Sequence, residues 1–325
     1  MNEQPQYAVE CEALGRIYRF SRGLGRGGTQ ETVALDDLNL TITPGSVFGL
    51  LGPNGAGKTT TVRILSTLLT PTSGTARVLG YDVVEAPKRV RERVGLILGG
   101  DRGLYTRLSG RQNLSYHAAL NHMDRRRARE RREELLALVG LGNAADTPVE
   151  RYSRGMKQRL HIARGLLTEP DVVFMDEPTI GLDPIGAQEV RTMIPELAAA
   201  GHTILLTTHY MFEADQLCDE VAIINEGKLV ARDTPAAIRR RFAAFRVVEL
   251  AVREPDLGLA ERLEALQGVE HVAVGSDGAL QTFSIRVPPD ADLRSAVEET
   301  AGPDNVESLL QRNPTLEEAY LALLS

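Results

Sequence analysis

Gly52-Pro53-Asn54-Gly55-Ala56-Gly57-Lys58-Thr59-Thr60 is the stretch whose reading decides the fold. It fits G-x-x-x-x-G-K-[ST], a loop that cradles phosphate. The apolar run before it, Val47-Phe48-Gly49-Leu50-Leu51, predicts a buried strand. Thr61–Leu69 after it predicts a helix with Val62, Leu65 and Leu69 on one face. Glycines at this spacing let backbone N–H groups turn inward around phosphate oxygens, and the helix start adds partial positive charge. Lys58 offers a point charge to the outer phosphates, and Thr59 offers a hydroxyl to Mg²⁺. Strand, loop and helix in that order set the stretch apart from a glycine-rich turn with a chance lysine. It points to a nucleoside triphosphate.

Outward from this loop, the whole chain reads as soluble and globular. Its 325 residues are enough for about two domains. The net charge of −7 argues against nucleic acid or an anionic membrane as a partner. Cys11 and Cys218 are the two cysteines, too few and too far apart for a disulfide framework or a metal site. MNEQPQYAVE has no basic segment followed by an apolar one, and no run approaches the ~18 apolar residues of a membrane span. The expected location is therefore cytoplasmic, with any membrane role carried by a partner.

Two strands are predicted at Tyr7–Tyr18 and Val33–Ile42, joined by a Gly/Arg loop from Ser21 to Gly28 that reads as a solvated hairpin tip. Tyr18 has a face that can stack on a purine, or it is a core tyrosine. Further strands are expected at Thr75–Val78 and Val94–Leu98. Arg111–Gly140 reads as one helix, with Leu135, Leu138 and Val139 buried and six arginines between Arg125 and Arg132 on its wet side. Tyr152-Ser153-Arg154-Gly155-Met156-Lys157-Gln158 opens another helix.

Val172-Val173-Phe174-Met175 is apolar on both faces, as a central parallel strand requires, and it ends in Asp176-Glu177. The next strand, Thr203–Thr208, ends at His209, and α/β sheets place their ligands at such strand ends. Asp176 there suits Mg²⁺, held directly or through water. Glu177 suits the base that aims an attacking water, and His209 a hydrogen bond to the γ-phosphate. Beyond Thr234–Phe242 the pattern changes to short strands and helices, an α+β module without a catalytic constellation. In its last helix, opened by the capping box of Thr315 and Glu318, an apolar stripe of Leu316, Tyr320, Leu321 and Leu324 needs something to pack on.

These motifs, in this order, resemble the nucleotide-binding subunits of ABC transporters. Gly52–Thr60 is similar to the family's Walker A loop, Tyr152–Gln158 to its signature, and Val172–Glu177 to Walker B. Gly181-Leu182-Asp183-Pro184 resembles the D-loop, His209 the switch histidine, and Tyr18 the aromatic A-loop residue. The resemblance covers about Val9 to Ile238, and the base-specificity and catalytic-loop motifs of GTPases and kinases are absent.

It implies an α/β fold: a P-loop NTPase core with a helical subdomain over residues 8–240, and a small C-terminal α+β domain, for dimerisation or regulation, over 241–325. It implies ATP held by Tyr18 and by Gly52, Pro53, Asn54, Gly55, Ala56, Gly57, Lys58, Thr59 and Thr60, with Mg²⁺ on Thr59 and Asp176. Catalysis falls to Glu177, His209 and Lys58. Ser153, Arg154, Gly155 and Met156 of one copy would close the ATP site of a second, with Asp183 in the D-loop between them.

Within the family the chain resembles the daunorubicin/doxorubicin-resistance type, ATPases that sit on the inner face of the membrane. They drive export of drugs or other hydrophobic compounds through a separate permease. Related systems export sodium or polysaccharide, and a soluble ABC ATPase acting without a permease is the alternative class. A catalytically silent regulator is opposed by the intact Lys58, Asp176 and Glu177. Two positions depart from the family pattern. Arg154 replaces the first signature glycine, and Gly99-Gly100 stands where a glutamine normally bridges Mg²⁺ and the permease contact, with no Gln before Gln112. On this reading, Asp101 or water takes the lost ligand's place, or the site is slow and a glutamine restored at 99 or 100 raises basal ATPase.

Overall fold

The continuous apolar runs become the middle of a parallel sheet. β3 (Val47–Leu51) is buried at every position, as are the first four residues of β7 (Val172–Asp176) and all of β8 (Thr203–Thr208). A strand with no wet face belongs between two neighbours, with helices on both sides. The observed order is β10-β9-β3-β8-β7-β6, where β6 is Val94–Leu98, β9 is Glu220–Asn225 and β10 is Lys228–Asp233. All pairs are parallel except β9 with β10.

Register then brings the chemistry together. Leu51 lies opposite Thr208, and Asp176 lies opposite both Thr207 and Leu98. The residues that follow these strands, from Gly52, Gly99, Glu177 and His209, therefore leave the sheet along one edge. The structure, a computed structural model, describes residues 5–21, 29–99, 103–242 and 245–324. The expected Gly/Arg loop tip at 22–28, Gly100 and Asp101 lie outside the described residues.

An antiparallel sheet, β2-β1-β4-β5, accompanies the parallel one; its strands are β1 (Val9–Ser21), β2 (Thr29–Ile42), β4 (Ser73–Val78) and β5 (Tyr81–Asp82). One core joins the two sheets, with Val9, Leu14, Leu38 and Ile42 meeting Phe48, Leu50, Val62 and Leu65. Val62 and Leu65 come from α1 (Lys58–Leu65), and the short α2 (Pro87–Arg91) adds Val90.

The expected single helix over 111–140 is two: α3 (Gly110–Leu120) and α4 (Arg125–Leu138). His122 breaks it with a left-handed φ of 55°, and Asp124 restarts it by accepting from the N–H groups of Arg126 and Arg127. Rotation of α4 buries Leu135, Leu136 and Val139 and leaves Leu138 44% exposed. Arg125, Arg126, Arg127 and Arg129 are exposed, as a wet side requires, while Arg131 and Arg132 are half-buried. Arg127 pairs with Glu169 at 2.7 Å, Arg131 donates to the Leu166 carbonyl, and Arg132 donates to Ser115. These contacts tie α4 to α3 and to the end of α5 (Arg154–Gly165). α6 (Pro184–Ala199) and α7 (Met211–Leu217) complete this unit.

The chain divides between Thr234 and Pro235, six residues ahead of the expected boundary, so α8 (Pro235–Phe242) belongs to the second unit. There the antiparallel order is β12-β13-β11-β14, with β11 (Arg246–Val252), β12 (His271–Asp277), β13 (Leu280–Val287) and β14 (Val306–Arg312). α9 (Leu259–Glu264) and α10 (Arg294–Ala301) supply Leu259, Leu263 and Val297 to a core with Val248, Leu250, Phe283 and Ile285. The last helix, α11 (Leu316–Leu324), packs on α8, burying Leu316, Ala319 and Tyr320, while Leu321 stays 53% exposed.

Its capping box is formed: Thr315 Oγ1 accepts from Glu318 N, and the Glu318 carboxylate accepts from Thr315 N. The same carboxylate takes a two-pronged bond from Arg312 at 2.8 and 3.0 Å, and Arg312 also reaches Glu249. Burial pushes the Glu318 pKa up, but the Arg312 bonds outweigh it and hold the group below 4.5. The folded pKa is thus the lower one, so this stabilisation is complete above 4.5 and fades as pH falls through the folded value. Arg312→Ala is expected to destabilise the second unit by about 1.5–3 kcal/mol at neutral pH. Urea unfolding followed from neutral to acid pH checks this, since the gap between variant and parent should narrow on acidification.

Candidate functional site

The loop between β3 and α1 needs glycine for different reasons at different positions. Gly55 has φ of 86° in open space, so conformation alone requires it. Gly57 has φ of 111°, and a Cβ there would lie 2.6 Å from the Ala34 carbonyl oxygen and 2.7 Å from Leu35 Cδ2. Gly57 caps α1 without a side-chain acceptor, so the first N–H groups of that helix are left for an anion. Beneath the loop, Gly227 N donates to the Ala56 carbonyl at 3.0 Å and Asp36 N donates to Gly227. The β9–β10 turn therefore braces the loop. Pro53 and Asn54 are exposed on its outer side.

Lys58 is only 4% exposed. Its Nζ donates to the carbonyls of Gly52 (2.7 Å) and Pro53 (3.1 Å) and stands 3.8 Å from Glu177 Oε1. Burial lowers its pKa, and the charges of Glu177 and Asp176 oppose that shift. Thr59 Oγ1 donates to Asp176 Oδ1 at 3.2 Å. A hydroxyl and a carboxylate at this separation are hard oxygen donors that fit Mg²⁺, which takes one or two protein ligands and completes its shell with substrate oxygens. No group of three or more His, Cys, Asp or Glu side chains placed to hold a metal occurs among the described residues.

Thr207 holds the acidic pair and was not foreseen. Its Oγ1 donates to Asp176 Oδ1 at 2.6 Å and accepts from Glu177 N at 3.1 Å. Glu177 needs that support because its φ is 48°, a left-handed conformation that costs a side-chain-bearing residue about 1–3 kcal/mol. His209 Nδ1 lies 3.3 Å from Glu177 Oε1, out of line for a hydrogen bond, and its ring leans on Tyr210 with centroids 4.1 Å apart. A hydroxyl at the end of a buried strand was the available signal for Thr207, and Thr207-Thr208 precedes His209 in plain view.

Tyr18 projects from β1 towards the same helix start, its hydroxyl 3.4 Å from Thr60 Oγ1, with the Arg16 guanidinium 4.9 Å above its ring. Lys58, Thr59, Thr60, Asp176, Glu177, His209 and Tyr18 are thus gathered at one sheet edge. The signature segment makes its contacts elsewhere. Ser153 caps α5 by accepting from Met156 N, Arg154 Nη1 reaches the Gly181 carbonyl at 3.5 Å, and Gly155 lies against Gly186. Asp183 caps α6 by accepting from Gly186 N at 2.8 Å. Gln112 is not a substitute for the absent glutamine, because its side-chain oxygen accepts from Ser109 N in the capping box of α3.

Known proteins resemble this chain in sequence and in fold. The sequence profile of the family described as ABC transporter matches residues 35–180. A daunorubicin resistance ATP-binding protein of Streptomyces coeruleorubidus is 43% identical, with 89% of this chain and 90% of that protein covered. A Nod factor export ATP-binding protein of Paraburkholderia xenovorans is 39% identical, covering 89% of this chain and 92% of its own. Among solved structures, the cbiO1 protein of Clostridium perfringens, part of the ABC transporter complex cbiONQ, superposes with a TM-score of 0.63 at 28% identity. That match covers 73% of this chain and 92% of the other.

Proposed function

This chain belongs to the ATP-binding proteins of ABC transporters, and from that premise we propose that it drives export of a drug-like, hydrophobic compound through a separate membrane permease. It is an ATPase of this family. The observation that supports the assignment of chemistry is the convergence of Lys58, Thr59, Asp176 and Glu177 at one edge of the parallel sheet. Lys58 leaves the Gly52 and Pro53 carbonyls for the β- and γ-phosphates, and the glycine N–H groups take the remaining phosphate oxygens. Tyr18 stacks on the base. Glu177 takes a proton from water as the water oxygen bonds to the γ-phosphorus and the bond to the ADP oxygen breaks. His209 donates to the γ-phosphate. Mg²⁺, held by Thr59 and Asp176 when bound with ATP, neutralises phosphate charge.

The working unit in this reading is a head-to-tail pair of chains. Ile180 (43% exposed), Ile185 (75%), Tyr210 (46%) and Phe212 (61%) stand in water within a few residues of Asp183 and His209. Large apolar side chains around a catalytic edge are what a second copy covers. Ser153–Met156 of that copy then closes the phosphate site, and, with Met156 N already taken by the Ser153 hydroxyl, the N–H groups ahead of it at the start of α5 turn to the γ-phosphate. Ile185→Asp is expected to weaken ATP-driven dimerisation by about 10–100-fold, the worth of one lost apolar contact. Sedimentation with ATP in a slowly hydrolysing background measures it.

The permease contact falls on the helical part, where Tyr105 and Tyr116 form an exposed edge-to-face pair close after position 99. The second unit has its own core and is accessory to hydrolysis, serving dimerisation or regulation. No helix among the described residues is long and apolar enough to cross a membrane, and in this reading the pathway for cargo belongs to the partner. The relative named for daunorubicin resistance supports a drug-like cargo. The one named for Nod factor export supports, as a second reading, export of a cargo other than a drug.

The test is ATP-dependent uptake of daunorubicin into inside-out vesicles carrying the chain with the membrane protein that co-purifies with it. Uptake that stops with Glu177→Gln supports the proposal. Absence of any co-purifying membrane protein supports a permease-free ATPase instead.

A further inference from the structure

The end of β8 is gripped on both sides. Thr207 faces the acidic pair of β7, and Thr208, pointing the other way by strand alternation, faces α7. There Thr208 Oγ1, buried, donates to Glu213 Oε2 at 3.1 Å and accepts from Tyr210 N at 2.9 Å. Glu213 is 3% exposed, and its other oxygen lies 3.3 Å from Arg191 Nη1. Arg191 is on α6, whose first turn is capped by Asp183, and its remaining nitrogens meet Gln188 Oε1. A chain of polar contacts therefore runs Arg191–Glu213–Thr208–Tyr210 and ends on the turn that carries His209. A buried carboxylate is costly without partners, and this one has a cation on one oxygen and a hydroxyl on the other.

We propose that Glu213 is a positioning residue: anchored by Arg191, it fixes Thr208 and thereby the turn that aims His209. The link also joins the helix led by Asp183 to the His209 turn, so displacement of α6 alters the histidine's aim. Misplacement by about 1 Å is enough to lower a rate up to 10²-fold while leaving binding intact. This inference rests on the reading that His209 assists hydrolysis.

The experiment compares Glu213→Ala, Glu213→Gln and Thr208→Val in the full chain, alone and combined with His209→Ala. Single-turnover hydrolysis of radiolabelled ATP, ATP affinity and thermal unfolding are read for each. Glu213→Ala is expected to lower the hydrolysis rate about tenfold with ATP affinity unchanged. Glu213→Gln, which keeps an oxygen for Thr208, recovers most of that rate. In the His209→Ala background the further loss from Glu213→Ala is within about twofold, the limit of additivity error. An equal loss in both backgrounds, or full activity in folded Glu213→Ala, overturns the proposal. If Glu213→Ala does not fold, Thr208→Val is judged by the same two outcomes. His209→Ala alone at the parental rate overturns the reading of His209 itself; a slow His209→Ala with additive loss from Glu213→Ala overturns only the positioning role.

Discussion

Glu177→Gln is expected to cut ATP turnover by about 10²–10⁴-fold, the contribution of a positioned general base, while ATP binding survives. The substitution is nearly isosteric and touches little else. The backbone N–H of Glu177 keeps its bonds to Thr207, and the left-handed φ of 48° costs glutamine as much as glutamate. Lys58 loses a carboxylate 3.8 Å away but keeps its two carbonyl partners in the nucleotide-free chain. Removing a negative charge beside the γ-phosphate also removes repulsion from the bound anion. The variant should therefore accumulate as an ATP-bound dimer, and the same solution should show monomers without nucleotide. Steady-state phosphate release and sedimentation in ATP are the two measurements. Turnover at the parental rate would show that the proton is taken elsewhere, and Asp176 is the nearest other carboxylate in contact with the site.

Legibility in the sequence followed how many jobs a residue does at once. Val172–Met175 and Thr203–Thr208 were readable as central strands because burial on both faces leaves no polar residue to confuse the period. From two strand ends and the glycine loop, Lys58, Thr59, Asp176, Glu177 and His209 could be placed at one edge. β14 is not legible in the sequence because Val-Glu-Ser-Leu-Leu-Gln-Arg neither alternates nor runs apolar, and its half-exposed residues are held by pairing with β11. The break between α3 and α4 was missed because His122 takes a left-handed conformation with no glycine or proline to mark it. Leu138 was expected inside and Leu136 is buried instead, since the restarted helix carries its own phase. The bracing of the loop by Gly227 and of the acidic pair by Thr207 are contacts between distant strands. Local pattern carries no record of the first, and of the second it shows the hydroxyl but not its partners.

Arg154 marks a further boundary of what family resemblance supplies. The resemblance gives its place in the signature but not its use. Geometry gives one contact, to the Gly181 carbonyl of the turn before α6. A cation in the first turn of α5 is disfavoured by the helix dipole, and a carbonyl at 3.5 Å offsets little of that. In the proposed pair of chains the same guanidinium lies on the segment that closes over phosphate, where its charge is favourable.

Gly99→Gln is expected to lower ATP turnover by about 10²-fold, the penalty for misplacing catalytic groups by roughly 1 Å. This reverses the expectation, drawn from the family pattern, that a glutamine restored here raises basal activity. The reason is the space around Gly99. Its N–H donates to the Asp176 carbonyl at 3.0 Å, so the two strands run edge to edge up to the acidic pair. A Cβ added at Gly99 would lie 2.7 Å from the Glu177 carbonyl oxygen, 2.9 Å from Ile180 Cγ2 and 3.3 Å from the Asp176 carbonyl oxygen. Two of those three neighbours are backbone, which cannot swing aside as the end of a side chain can. The turn they belong to already holds Glu177 at a strained φ, so any shift to admit the Cβ moves the carboxylate. Because the first carbon does the damage, Gly99→Ala should show most of the loss, with no amide present at all. ATP affinity should be little changed in both variants, since none of the three nearest neighbours of the added atom belongs to Gly52–Thr60. Hydrolysis and nucleotide binding by the two variants decide the matter. Gly99→Gln turning over faster than the parent, with Gly99→Ala unimpaired, would mean that the absent glutamine is a true deficit and that the crowding at Gly99 is relieved at no cost.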